Sequence, residues 1–494
     1  MQQIIALPII FIGIYIIITL LVAVFPFGRI GVRTVEDFHR ATGNMGFWII
    51  SIGLIVSFYS GTTWSGWQGF ISNNGPIGAY IFPFIATSGV LFYFLAEKIQ
   101  PLAKEHNMIT IGDFFDVTYN SRRLRIIAGC VSVLAGILWI VMDLITMGYV
   151  FNIVSQGKIS IIYGEIIALV IILIYVLWGG IESIVWTDLL QGVIMLIGGF
   201  LICNFIIVSC FDGFEEFGKI FENSGAIKDY KLNVAGEDYY WSNGNRWTSL
   251  VLISSIGAIC FPATFVKMYM GKDINVLRKS GILLAATSVW SLVYFLPGLA
   301  IMIVDGNSEM PEASLLNLVV NTGEVLAICF ASVFVIAVCI GTIDILLFTT
   351  GMSIVKDVYY PIRYNNSANK KNIVSLRTVN IAIIIVSVVA FLIGTTNKFG
   401  LIQIAIMTTE ASAQLFPVII GALVTGKANK KAAVYGVTTG IIVLFAMEMF
   451  NINGFSIVNG VWALCANTIV FIIICRNSAT ITGDKVTKMS QLDK

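Results

Sequence analysis

The chain alternates long apolar blocks with short polar stretches, and most blocks match the roughly 20 residues that a helix needs to cross a bilayer. On that measure, segments near 4–25, 47–73, 77–96, 126–151, 160–178, 186–210, 248–270, 281–304, 324–355, 378–395, 400–422, 432–450 and 456–475 are predicted transmembrane helices, spans 1 to 13. The pattern predicts an all-α polytopic membrane protein. The first block follows Met1-Gln2-Gln3 with no positive region and is too long for a signal-peptide core, so it is expected to stay as a span.

Two blocks depart from smooth apolar composition. Span 2 carries Ser57, Ser60-Gly61-Thr62-Thr63 and Ser65-Gly66 at its centre, and span 7 carries Ser254-Ser255, Gly257 and Pro262. Breaks in matching segments of two halves free backbone groups that face a midplane site rather than lipid. Close helix packing through small residues is the other reading of each cluster. Spans 2 to 6 (47–210) and 7 to 11 (248–422) form five-helix groups that start from opposite sides, an inverted repeat. Around them lie 1–46, with span 1 and a cytoplasmic loop, the extracellular loop 211–247, and 423–494, with spans 12 and 13 and a short tail.

Charge sets the orientation. Arg29, Arg33 and Arg40 follow span 1, Lys98, Lys104, Arg122, Arg123 and Arg125 follow span 3, and Lys267, Lys272, Arg278 and Lys279 follow span 7. These and the later groups Lys356, Arg363, Lys370, Lys371, Arg377, Lys427, Lys430, Lys431 and Arg476 share one side if the amino terminus is outside and the carboxyl terminus cytoplasmic. The location expected is the plasma (inner) membrane. The chain is 57% hydrophobic and 12% charged, with a net charge of +2 over 494 residues. Its macromolecular surroundings are therefore the lipid bilayer, with no basic face for nucleic acid; the sequence leaves the oligomeric state open. Eight cysteines without CxxC spacing read as reduced packing residues.

The run Gly179-Gly180-Ile181-Glu182-Ser183-Ile184-Val185-Trp186-Thr187-Asp188-Leu189-Leu190-Gln191-Gly192 leads a carboxylate and an amide into an apolar span, which by itself points to an ion or substrate path. It resembles the signature of the sodium:solute symporter family, in which a Gly-Gly pair precedes an Asp and a Gln-Gly. Ser60-Gly61-Thr62-Thr63-Trp64-Ser65-Gly66-Trp67-Gln68-Gly69 is similar to the family's second-span pattern, Pro262 with Lys267 five positions on to its Pro with a basic residue, and Lys356-Asp357-Val358-Tyr359 to the end of its ninth span.

The resemblance, over roughly residues 1–475, implies a LeuT-type core in spans 2 to 11 and secondary active transport. It also implies a coupling cation, Na+, between spans 2 and 9, at Val56, Tyr59, Val338, Gly341 and Thr342. A hard monovalent cation wants several oxygen ligands, and a helix break exposes carbonyls. The family usually has Ser where this chain has Gly341, which leaves Thr342 as the one side-chain hydroxyl of the set. Asp188 and Asp344 are candidates for a further cation or a proton relay, with a structural hydrogen bond as the other reading of Asp344.

Asp143 in span 4 and Glu410 in span 11 have no basic neighbour in sequence. Either they make the central cavity electronegative or carry protons, favouring a cationic solute or H+ coupling, or they are packing acids bonded to hydroxyls, water or Lys267. Lys267 itself is expected at the cytoplasmic end as a snorkelling anchor. The candidate solute cavity comprises Ser60, Gly61, Thr62, Trp139, Asp143, Phe261, Pro262 and Glu410. Phe58, Tyr59, Trp64 and Trp67 either stack on solute or belong to interface belts, and Gln403 and Gln414 are weaker candidates.

No Ser/His/Asp set, metal cluster or phosphate loop is visible, and both histidines, His39 and His106, fall in predicted loops, so an enzyme is not expected, nor any cofactor. The function expected is cation-coupled symport of a small polar solute into the cell by alternating access, with a proton-coupled or uncoupled transporter on the same fold as the alternative. A sensor would be expected to carry a long soluble extension.

Overall fold

The structure is a computed structural model that describes residues 2–24, 43–223, 244–304, 311–364, 374–396, 400–424, 429–450, 452 and 454–477. The basic residues Arg29, Arg33, Arg40, Lys370, Lys371 and Lys427, His39, and 224–243 of the outer loop lie outside them.

Among the described residues, eleven helices are long and apolar enough to cross a membrane, and two further pairs qualify as bent spans, which gives thirteen if each pair crosses once. The bent pairs are Phe47–Phe58 with Thr63–Asn74, at 49°, and Gly244–Cys260 with Pro262–Met270, at 53°. They are the spans whose Gly, Ser and Pro content predicted interruption. Pro262 opens the second half of span 7, where its missing N–H costs nothing.

Several spans outrun their apolar blocks. Span 3 continues to His106, ten residues past the expected end, with Ile99, Leu102 and Ala103 buried and Lys98, Lys104 and Glu105 exposed. A helix leaving the bilayer turns amphipathic rather than stopping at its first charge. Helical bonding runs from Ile161 to Phe211 through Gly179-Gly180, yet Tyr175 and Thr187 both donate to Asp344 Oδ2, at 3.0 and 3.2 Å. Twelve residues of straight helix would separate them by ~18 Å, beyond the reach of both side chains, so the helix bends between spans 5 and 6.

Span 9, Val325–Arg363, is the axis, packed against spans 1, 2, 4, 5, 6, 7 and 10 and buried through most of its length. The start of span 2 and the end of span 7 meet beside it. Met45 N donates to Met270 O at 3.1 Å and Lys272 N to Met45 O at 2.9 Å. At the break of span 2, Tyr59 and Trp64 lock edge-to-face onto Trp290 and Tyr294 of span 8, and Trp64 onto Phe334 of span 9, with centroids 4.5 to 6.1 Å apart. The aromatics Tyr59 and Trp64 thus fix the break in place. Trp67 does the same further out, donating from Nε1 to Gly78 O at 3.2 Å.

Between spans 3 and 4 a short helix, Ile111–Tyr119, is capped by Thr110 and Asp113 reciprocally. Arg125 of span 4 reaches Asp113, Asp116 and Asp357 at 2.9, 2.9 and 3.2 Å, and Lys356 reaches Asp113 at 2.6 Å. Tyr269 of span 7 joins this network by donating to Thr110 O at 3.2 Å. Burial pushes the Asp113 carboxyl up, but Lys356 and Arg125 outweigh it and hold it down at about 2.

Candidate cation and solute site

The first half of span 2 closes with the bond from Tyr59 N to Ile55 O, at 3.0 Å. The amide of Thr63, which in a continuous helix would bond Tyr59 O, donates to Ser60 O instead, at 2.9 Å. The break therefore releases the Tyr59 carbonyl from the helical ladder, while the Tyr59 hydroxyl turns away to Thr287 O and Ser291, at 2.6 and 3.2 Å. Span 9 approaches the break closely. A Cβ on Gly61 would lie 1.9 Å from Cys339 Sγ, and one on Gly341 would lie 2.9 Å from Val56 Cγ1. Thr342 Oγ1 donates back to Val338 O at 3.3 Å. Val56 and Gly341 thus meet directly at a buried interface of spans 2 and 9, and Tyr59, Val338 and Thr342 are buried on the same stretches of the two spans.

Gln191 of span 6 belongs to this interface too, although its sequence signal, the Gln-Gly that ends the signature run, had not marked it as a site residue. Its Oε1 is 2.9 Å from where a Gly341 Cβ would stand, and neither amide atom makes a hydrogen bond with sound geometry although the residue is fully buried. The amide occupies the volume that a serine side chain at 341 would take.

Asp188 and Asp344 lie about one helical turn from Gln191 and Gly341 along spans 6 and 9. Asp344 accepts from Tyr175, Thr187 and the Ile345 amide, while Asp188 Oδ1 has no hydrogen-bond partner and interacts electrostatically with Asp344 and Lys267. The expected snorkelling of Lys267 is wrong. Its side chain is buried and its ammonium donates to Gly53 O and to Ser57 Oγ of span 2. The two acids leave an uncompensated charge that draws the amine inward.

Around the solute side, Thr62 N and Oγ1 donate to Asp143 Oδ1 at 2.9 and 3.0 Å, and Ser65 pairs with Thr146 at 2.9 Å. Trp139 stacks obliquely on Phe261, the residue at the break of span 7 just before Pro262, with centroids 5.4 Å apart. Ser60 Oγ is buried without a partner. Glu410 is engaged elsewhere: its Oε1 accepts from Gly460 N of span 13 at 2.9 Å, and Gln414 donates to Gly460 O at 3.2 Å. Span 13 supplies what the acid needs, a contact no local pattern in span 11 announces.

Two interrupted helices crossing a long central span, with freed backbone groups and buried acids at the crossing, define a multi-pass membrane transporter. The sodium:solute symporter family profile matches residues 38–440, and the chain belongs to that family. Similar proteins include two of Bacillus subtilis (strain 168) described as uncharacterized symporters. YhjB is 24% identical over 408 residues, 81% of either chain, and YodF 21% over 431, 85% of this chain and 84% of that one. A Na+-coupled sialic acid symporter in a substrate-bound outward-open state has a similar structure, with TM-score 0.76, 18% identity, and coverage of 96% of this chain and 98% of that one. So does Mhp1, a nucleobase-cation-symport-1 family transporter in a closed conformation, with TM-score 0.57, 12% identity, and coverage of 88% and 94%. The fold is of the LeuT type.

Proposed function

We propose that this protein couples inward movement of Na+ down its gradient to uptake of a small polar solute. The observation that carries the reading is the break of span 2 against span 9. The diverted Thr63 amide frees the Tyr59 carbonyl on a segment of span 2 that packs closely on span 9, Gly61 against Cys339 and Val56 against Gly341, beside Val338 and Thr342 in sequence. Carbonyl and hydroxyl oxygens of that kind suit a hard monovalent cation. The buried Gln191 amide, which lies beside the Tyr15 hydroxyl, supplies the oxygen donor that Gly341 lacks, so the ligand set is Val56, Tyr59, Val338, Thr342 and Gln191. Asp188 and Asp344, partly neutralised by Lys267, hold negative potential on the cytoplasmic side of that set.

Alternating access follows from the two bent spans. Repeats 47–210 and 248–422 rock against each other, and the Met45–Met270 and Met45–Lys272 bonds with the Lys267 bridge hold the inner halves together until the site is loaded. The amino terminus lies outside, the carboxyl terminus in the cytoplasm of a cell bounded by the plasma membrane, and spans 1, 12 and 13 brace the core. Membership of the sodium:solute symporter family supports sodium as the coupling ion.

Proteoliposomes test the reading. Uptake of a transported solute should rise with an inward Na+ gradient and collapse when that gradient alone is dissipated. Uptake unchanged by its loss would sink sodium coupling, and a response to a proton gradient instead would replace the ion.

A further inference from the structure

One face of span 4 meets both helix breaks. Asp143 holds Thr62 at the break of span 2, and Trp139, one turn earlier, holds Phe261 at the break of span 7. Asp143 is fully buried. Its Oδ1 takes both bonds from Thr62, whereas Oδ2 has none, and no Lys, Arg or His among the described residues is within ion-pair distance. Oδ1 caps the start of the second half of span 2, whose helix end offers a charge equivalent to roughly +0.5. That leaves Oδ2 of a buried carboxyl without a protein partner, and an uncompensated buried charge is among the costliest features a protein can keep.

Resting on the symport reading, we infer that the transported solute carries a positively charged nitrogen, an amine or quaternary ammonium, that pairs with Asp143 and lies against Trp139. The surroundings choose between an organic cation and a second metal ion. A hard ion at Oδ2 would need several further oxygens, whereas Asp143 has the Cys339 sulfur beside it and the Trp139–Phe261 aromatic pair one turn away along span 4. Soft, polarizable walls with one carboxylate suit an alkylated ammonium, held by charge and by the indole face. Trp139 Nε1, buried without an acceptor, and the Ser60 hydroxyl remain to bond an oxygen on the same solute. Glu410, spent on Gly460, contributes nothing here, so one positive charge per solute is what the site balances.

The test is a thermal-shift panel on the purified full-length protein in sodium buffer. Choline, ethanolamine, glycine betaine and proline carry a cationic nitrogen; glucose, pantothenate and lactate do not. Protection is expected from at least one of the first group and none of the second. Asp143→Asn should raise the half-saturating concentration about 30-fold or more, as removal of one partner of a buried charge pair does. Asp143→Glu should recover part of it. Trp139→Leu, which leaves the carboxylate in place, should weaken binding about fivefold, without moving the half-saturating Na+ concentration. Protection by a compound without cationic nitrogen, by none of the panel at 10 mM, or by the first group equally in wild type and Asp143→Asn, would overturn the inference. So would stabilisation by Na+ alone that Asp143→Asn abolishes, which would make the carboxylate an ion ligand. Uptake of the protecting solute that ignores the Na+ gradient would instead remove the symport reading and leave the ammonium site standing. Sodium-driven uptake of glucose would do the reverse.

Discussion

Lys267 donates to Ser57 Oγ at 2.5 Å, joining the inner half of one interrupted span to the inner half of the other. The same ammonium bonds Gly53 O and faces Asp188, whose Oδ1 has no hydrogen bond. The junction of the two interrupted spans is thus tied to a charge that the acids of spans 6 and 9 hold in place. Breaking a buried charge cluster by removing one member costs about 3–5 kcal/mol. Lys267→Met should therefore lower stability by that order in thermal or denaturant unfolding of the purified protein. Adding Asp188→Asn should restore part of the loss, with a coupling of about 1–3 kcal/mol. Strict additivity of the two changes would separate Lys267 from Asp188.

Gly341→Ser tests the cation interface, and the structure reverses the simple expectation that a restored hydroxyl tightens sodium binding. The new Cβ would meet Gln191 Oε1 and Val56 Cγ1 at 2.9 Å. Overpacking of that kind costs about 1–3 kcal/mol, so the single substitution should raise the half-saturating Na+ concentration roughly tenfold. Gly341→Ser with Gln191→Ala, which vacates the volume and supplies the hydroxyl, should return most of the affinity. A double variant no better than the single would remove Gln191 from the site.

The Asp113 network gives a pH dependence of known sign. Asp113 is held at about 2 against its ordinary 3.8, so its charge contributes stability above about pH 4 and loses it as pH falls toward 2. The shift corresponds to about 2 kcal/mol. The melting-temperature gap between wild type and Asp113→Asn should be constant from pH 7 to 5 and narrow below pH 4. A gap of equal size at pH 6 and pH 3 would mean the residue acts through packing alone.

Two glycines separate tolerable from intolerable additions. A Cβ at Gly257 would stand 2.1 Å from the Thr409 carbonyl oxygen, backbone that cannot rotate away, whereas one at Gly53 would meet Lys267 Cε at 3.4 Å and Asp188 Oδ2 at 3.7 Å. Gly257→Ala should force spans 7 and 11 apart and cost about 2 kcal/mol or more. Gly53→Ala should leave folding within about 1 kcal/mol. Comparable yields and melting temperatures for the two variants would show that spans 7 and 11 part easily.

The sequence by itself determined what depends on composition over a span. A block of about 20 apolar residues has no alternative to a membrane helix, so the segments were readable, and Gly61, Pro262 and their polar neighbours marked the two breaks. The signature run and the second-span pattern carried the family. What only the tertiary structure decided is where each polar side chain finds its partner, because a buried group is satisfied by residues far away in sequence. Glu410 looked like a companion to Asp143 until Gly460, fifty residues on, took its bond. Lys267 looked like a surface anchor until Gly53 and Ser57, more than two hundred residues back, surrounded it. Gln191 became part of the cation interface because Gly341 leaves a side-chain volume for it to fill, a complementarity visible only once spans 6 and 9 are packed.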